Sequence, residues 1–294
     1  MSITDRPRRS VLYMPGSKAR ALEKARTLPA DTLILDLEDA VAPAEKHQAR
    51  QMVVDTVQRG GYGYRELVIR INGLNTEWGE ADLDAAATSG ADALLVPKVE
   101  SAAMLADISA RMDAAGAPAD MPVWAMMETP LGMLNAAEIS AAPRIACLVM
   151  GTNDLVKDLR ATHTDLRLPI VTAMGLCMLA ARAHGLVILD GVYNAYKDEE
   201  GLRASCLQGK EMGFDGKTLI HPLQLAITNE AFAPASDEIA LAKRYVSAFA
   251  DAEEAGQGVA VVDGRIVENL HVETARLLLS QAAAIADMNQ EDAA

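Results

Sequence analysis

Eight short apolar runs, separated by amphipathic segments of helical length, predict an α/β chain whose parallel strands close into a (β/α)8 TIM barrel. Two further observations favour the closed barrel over an open doubly wound sheet. The first run ends Met14-Pro15-Gly16-Ser17-Lys18, without the glycine-rich phosphate loop usual at that point of an open sheet. Polar residues also stand at the end of run after run, and a barrel gathers its strand C-termini on one face.

The runs are, in order, Ser10–Met14, Thr32–Asp39, Leu67–Asn72, Ala93–Val99, Pro122–Thr129, Ala146–Thr152, Val187–Tyr193 and Lys217–Pro222. Between them, Pro43–Arg59, Ser101–Ala115, Val171–His184 and Glu199–Met212 read as helices. Pro43 suits a first helical turn, where a missing N–H costs nothing. After the eighth run, Ser236–Gln257 reads as a long helix. Gly258–Leu270, with its central Asp263-Gly264, reads as a small β-hairpin. His271–Ile285 closes the chain as a final helix. The expected division is therefore a barrel over residues 1–232 and a C-terminal extension over residues 233–294, serving as a lid or an oligomer contact.

The chain has 294 residues, which suits one large barrel domain or two smaller domains, and half are hydrophobic, enough for a large core. A formal net charge of −14 argues against nucleic acid or an anionic membrane as the main partner. It leaves room for a small anion held by a local basic cluster. Cys147, Cys177 and Cys206 are odd in number, widely spaced and without a CxxC pair. They read as reduced thiols of a cytoplasmic protein. Met1–Ser10 is polar, with no following apolar region of the kind a secretory signal has, and no run approaches membrane-spanning length.

The strand-end residues carry the chemistry. Glu128 and Asp154 end adjacent runs and lack a His or Cys neighbour, which suits a hard ion with oxygen ligands. Magnesium takes one or two protein carboxylates and completes its shell with water and substrate. The other reading is a capping pair, Asp154 in particular starting a helix. Asp36-Leu37-Glu38-Asp39 puts Asp36 and Glu38 on one face of the strand and Asp39 at its end, where they orient metal-bound water or an Arg, pair with Arg70 across neighbouring strands, or do both. Arg70 offers a bidentate fork to a substrate carboxylate, or serves as a structural ion pair. Pro15, Gly16, Lys18 and Arg20, with Lys24 one turn on, form either a phosphate-binding helix start or a solvated basic turn. Lys98 ends the fourth run. His184 suits a helix C-terminus, and His221 is either a base or a packed side chain.

The ordered set Ser10-Val11-Leu12-Tyr13-Met14-Pro15-Gly16, Leu35-Asp36-Leu37-Glu38-Asp39-Ala40-Val41, Arg70-Ile71-Asn72, Val96-Pro97-Lys98-Val99-Glu100, Met127-Glu128-Thr129-Pro130, Gly151-Thr152-Asn153-Asp154-Leu155 and Ile220-His221-Pro222 resembles the citrate lyase β-subunit-like family over nearly the whole chain. The resemblance implies a barrel that binds Mg2+ through Glu128 and Asp154. It implies that Arg70 holds the carboxylate of the acid, and that a coenzyme A thioester lies near Pro15–Arg20. It also implies a homotrimer or homohexamer in which the lid of one subunit covers its neighbour's site.

One departure concerns the lid. The family pattern resembles Gly-Lys-Met-Ile-Asp-x-Pro, and here the stretch is Gly264-Arg265-Ile266-Val267-Glu268-Asn269-Leu270. Glu268 replaces an Asp that exchanges a proton with the acyl-CoA α-carbon. One extra methylene moves the carboxylate by about 1–1.5 Å, and such a misplacement can cost roughly 100-fold in rate. The run Gly256–His271 resembles the branch that hydrolyses (3S)-malyl-CoA to malate and coenzyme A. The alternatives are retro-Claisen cleavage of malyl-CoA or citramalyl-CoA to acetyl-CoA and a 2-oxo acid, and a non-catalytic acyl-CoA-binding subunit. The expected catalytic residues are Glu268, Arg70, Glu38 and Asp39. Pro15, Gly16, Lys18, Arg20, Lys24 and Lys98 are expected to hold coenzyme A.

Overall fold

The computed structural model describes residues 6–293; the first five residues of the polar N-terminal stretch lie outside that range. Eight parallel strands form a closed barrel in chain order. They are β1 (Ser10–Pro15), β2 (Thr32–Asp36), β3 (Glu66–Arg70), β4 (Ala93–Val96), β5 (Val123–Met127), β6 (Ile145–Met150), β7 (Val187–Asp190) and β8 (Gly216–Leu219). β1 pairs with both β2 and β8, which closes the ring. The connecting helices are α1 (Ala19–Ala25), α2 (Lys46–Arg59), α3 (Gly79–Ala87), α4 (Ala102–Ala115), α5 (Pro130–Leu134), α6 (Ala136–Ser140), α7 (Thr152–Asp158), α8 (Leu168–Ala183), α9 (Glu199–Met212) and α10 (Leu225–Phe232).

Strand side chains alternate between two apolar layers, which is why the runs read as continuously hydrophobic rather than alternating. Val11, Ile34, Val68, Leu95, Trp124 and Val149 pack inside the barrel. Leu12, Leu33, Ile69, Leu94 and Leu148 face outward into a core shared with the helices. The N-terminal end is closed by buried ion pairs, Arg8 to Glu66 at 2.7 Å and Arg9 to Asp31 at 2.7 Å. Helix starts follow the local chemistry. Ser101 accepts the Met104 N–H at 3.2 Å and Asp198 accepts the Gly201 N–H at 3.1 Å, satisfying free donors of α4 and α9.

The strands stop two or three residues earlier than the apolar runs suggest, at Asp36, Arg70, Val96, Met127, Met150 and Asp190. Beyond the rim a strand has no neighbour to extend the ladder, so the last polar residues of each run belong to the βα loops. Proline-started Pro43–Glu45 is a 3-10 turn ahead of α2.

The contacts divide the chain into two compact units, Arg8–Phe232 and a second one that includes Ala233 onward. The second contains α11 (Ser236–Glu254), the antiparallel pair β9 (Ala260–Val262) and β10 (Arg265–Val267), and α12 (Asn269–Ala293). Asp263 and Gly264 both have positive φ, 51° and 76°, as a two-residue type I′ hairpin turn requires. Phe249, Ala252, Val262, Val267 and Val272 form this unit's own apolar core.

Candidate active site

The inward column of four strands ends in a polar side chain at the C-terminal rim, and that of a fifth ends in glycine. Counting by two from the inward residues Val11, Ile34, Val68, Trp124 and Val149 reaches Tyr13, Asp36, Arg70, Glu128 and Gly151. These five line one cavity of about 290 Å³, with Asp39, Met126, Asn153, Asp154, Val192 and Ile220. A groove of equal volume runs between α1 and α2, past Arg26, Asp55 and Tyr62, and carries none of the strand-end residues.

Arg70 is buried at the centre of the charge pattern. Its Nε and Nη2 donate to the two oxygens of Asp36, at 2.6 and 2.7 Å. Asp36 is fully buried and also accepts the N–H groups of Glu38 (2.9 Å) and Ala40 (3.0 Å). The guanidinium lies over the Tyr13 ring, 4.8 Å from its centroid. Its Nη1 edge meets Glu38 at 2.8 Å and Asp39 at 3.4 Å. The Glu38 contact is an ion pair without hydrogen-bond direction, since Glu38 Oε2 has no hydrogen-bond partner among the described residues. The Nε/Nη2 fork is therefore occupied by Asp36, and the Nη1 edge faces Glu38 and Asp39.

Glu128 accepts the Lys98 backbone N–H at 2.9 Å. Lys98 has a φ of 50°, a left-handed conformation uncommon outside glycine, and this aims its N–H at Glu128. Its Nζ reaches Asp154 at 2.6 Å. Lys98 thus ties together the two carboxylates read as metal ligands. Asp154 is the third residue of α7, whose N-cap is Gly151 without a side-chain bond, so Asp154 does not cap that helix. A Cβ on Gly151 would lie 2.5 Å from Glu128 Oε2. The glycine makes room for the carboxylate.

Among the described residues, five carboxylates, Asp36, Glu38, Asp39, Glu128 and Asp154, are matched by the side chains of Arg70 and Lys98, with the Lys46 ammonium on the Leu37 and Glu38 carbonyls nearby. Burial, reinforced by the Glu38 carboxylate, pushes Glu128 up to about 8. Burial, opposed by Arg70 but aided by Asp39 and Asp36, pushes Glu38 up to about 7. Burial likewise raises the Tyr13 phenol, whose OH meets Met126 Sδ at 3.5 Å. Such a cluster is short of positive charge. Among the described residues no three His, Cys, Asp or Glu side chains form a metal-ligating group. The pair Glu128 and Asp154 matches the sparser donor set of magnesium.

Comparison with known proteins identifies the family. The profile of the HpcH/HpaI aldolase/citrate lyase family matches residues 9–222, which span all eight strands. The chain belongs to that family. Among family relatives, the (3S)-malyl-CoA thioesterase of Cereibacter sphaeroides ATCC 17023 is 59% identical over 280 residues, covering 95% of this chain and 96% of that protein. Citrate lyase subunit beta of Escherichia coli K12 is 36% identical over 283 residues, 94% of each chain. The crystal structure of CitE from Mycobacterium tuberculosis, in complex with magnesium, acetoacetate and coenzyme A, is 29% identical. It aligns with a TM-score of 0.73, over 95% of this chain and 99% of that one.

Several sequence-derived candidates fall elsewhere. Lys18, Arg20 and Lys24 are exposed on or beside α1 and do not line the cavity; Lys18 Nζ lies 3.6 Å from Glu45. Pro15 ends β1, and the Gly16 N–H donates to the Asp36 carbonyl at 2.9 Å. Asp190, the last residue of β7, points away from the cavity. Leu189 faces the barrel interior, so the next residue faces the helices. There Asp190 binds Lys217 Nζ at 2.7 Å and Arg167 Nη1 at 2.6 Å. His221 Nδ1 accepts the Leu223 N–H at 3.1 Å, and its ring stacks on Tyr196 with centroids 4.5 Å apart. Its role is a turn cap. His184 is the C-cap residue of α8. Glu268 is exposed at the start of α12, in the second unit. Sequence reasoning left Tyr13 and Gly151 out of the site. The inward parity of Val11 and Val149 identifies both.

Proposed function

We propose that this protein hydrolyses (3S)-malyl-CoA to malate and coenzyme A with a magnesium ion at the barrel mouth. The observation that carries this is one cavity holding a buried arginine beside a carboxylate pair in excess of its cations. The thioesterase relative, alike over nearly the full length, supports the choice of reaction.

Glu128 and Asp154 would hold the ion, which supplies a Lewis acid for the substrate's hydroxyl and carboxylate oxygens and offsets the carboxylate excess. Asp36 and Tyr13 fix the Arg70 guanidinium, so its Nη1 edge is preorganised to receive the acid's carboxylate in place of Glu38 and Asp39. Glu268 of a neighbouring copy takes a proton from water as the C–O bond forms at the thioester carbonyl. Collapse of the adduct breaks the C–S bond, and the coenzyme A thiolate leaves and is protonated. Lys98 holds both carboxylates in place, its backbone N–H on Glu128 and its Nζ on Asp154.

A second reading is carbon–carbon cleavage, favoured by the citrate lyase relatives that share the fold and much of the chain. Purified protein with (3S)-malyl-CoA and magnesium separates the two. Free thiol without glyoxylate supports hydrolysis. Glyoxylate with acetyl-CoA assigns the protein to lyase chemistry. Neither product favours the acyl-CoA-binding subunit.

Self-association is part of the same proposal. Leu134 and Leu179 are 77% and 72% exposed, and Leu131 and Leu168 add apolar surface on α5 and α8. An uncharged helix face of this kind marks a protein contact. No helix among the described residues is long and apolar enough to cross a membrane.

A further inference from the structure

The start of α12 is built in an unusual way. Glu268 is the residue that precedes the helix, and its carbonyl accepts the N–H groups of His271 (2.9 Å) and Val272 (3.3 Å). Ser, Thr, Asp and Asn are preferred at such a position because their short side chains reach back to the first free N–H groups. Among the described residues the Glu268 carboxylate neither caps α12 nor pairs with a cation. The cap comes from the opposite direction. His271, three residues on, turns its Nδ1 back to accept the Glu268 N–H at 3.0 Å. In a capping box this acceptor is normally a Glu or Gln. Val267 and Val272, on either side, are both fully buried in the apolar core of the unit. They stand at the two positions of a hydrophobic staple. The imidazole itself meets the Tyr245 ring edge-on, with centroids 6.5 Å apart.

Glu268 therefore has a fixed N–H, a fixed carbonyl and two anchored neighbours, with an exposed side chain left free. A Glu has one more rotatable bond than an Asp, so control over its carboxylate depends more heavily on the backbone that carries it. We propose that His271 is a positioning residue for Glu268, its Nδ1 lone pair locking the backbone from which the carboxylate is presented. This rests on the assignment of Glu268 as the base of thioester hydrolysis.

The test uses the full-length protein, thiol release from (3S)-malyl-CoA and thermal unfolding in parallel. H271L keeps the volume against Tyr245 and removes the acceptor, whereas H271Q keeps an acceptor. H271L is expected to lower kcat by about 10- to 100-fold, the scale of a misplaced catalytic group, with KM changed by less than about two-fold. H271Q is expected to retain kcat within about three-fold of wild type, since Gln completes a capping box. The double variant E268A/H271L is expected to match E268A alone, because residues acting through one group are not additive. Three results overturn the proposal: unchanged kcat in H271L, equal impairment in H271Q and H271L, or a full further loss when H271L is added to E268A. Wild-type kcat in E268A removes the base assignment itself, and the proposal with it, so the two failures are told apart by the single variant.

Discussion

At the residue scale, the mouth of the barrel is governed by how few groups meet each charge. Gly151 tolerates no side chain because Glu128 Oε2 occupies the space a Cβ would fill. G151A should displace that carboxylate and weaken magnesium binding by roughly 10- to 100-fold, the effect usual when a ligand loses its support. Isothermal titration of the ion checks this. The raised carboxyls also set a pH dependence. Glu128 at about 8 and Glu38 at about 7 hold protons in the folded chain that they have lost in the unfolded chain above the ordinary value of 4.5. The folded state then binds more protons, so stability falls as pH rises. The window runs from about 4.5 to 8, and below it both states are protonated. Metal-free protein should melt at a lower temperature at pH 8 than at pH 5. E38Q should flatten the lower part of that slope. Melting curves across this range give the answer, and a Tm that rises with pH would contradict the carboxylate assignment.

At the element scale, the polar ends of the apolar runs were the part of the site most legible in the sequence. The apolar runs located all eight strands, and their polar ends named Arg70, Glu128 and Asp154. The direction of those ends was less legible. Asp190 ends β7 as Arg70 ends β3, yet one faces the helices and the other the cavity. Parity from an inward residue decides this, and a fully apolar run hides parity because both faces are buried. Nor does the sequence show that Arg70 has its fork closed by Asp36, because that depends on the β2–β3 register, which pairs the two residues directly. The Asp190 network pins the segment before α8 to the barrel wall. Lys217 and Asp190 are both fully buried, and Arg167 reaches the same carboxylate from the loop. D190A strands the buried Lys217 ammonium without its partner and should cost about 3–5 kcal/mol. For a chain of this size that is on the order of 10 °C in Tm. Because the network faces away from the cavity, KM at permissive temperature should stay near wild type.

At the scale of the whole molecule, the groups assigned to one reaction are spread over two compact units of the chain. Arg70, Glu128 and Asp154 belong to the barrel and Glu268 to the other. If neighbouring copies share sites, R70A and E268A should complement each other when co-expressed. Random mixing leaves roughly a quarter of the shared sites with both residues intact, so activity should recover toward that level. Mixed preparations no more active than the separate variants would place both residues in a site made by one copy. The measurement that bears most directly on hydrolysis at the barrel mouth is thiol release from (3S)-malyl-CoA as magnesium is titrated into metal-free protein, with wild type and E128Q side by side. Saturable activation of the wild type is predicted, with E128Q slower by about 100-fold or more at the same magnesium, the scale of losing an electrostatic contact made in the transition state. Equal rates in the two proteins, or thiol release indifferent to magnesium, would contradict it.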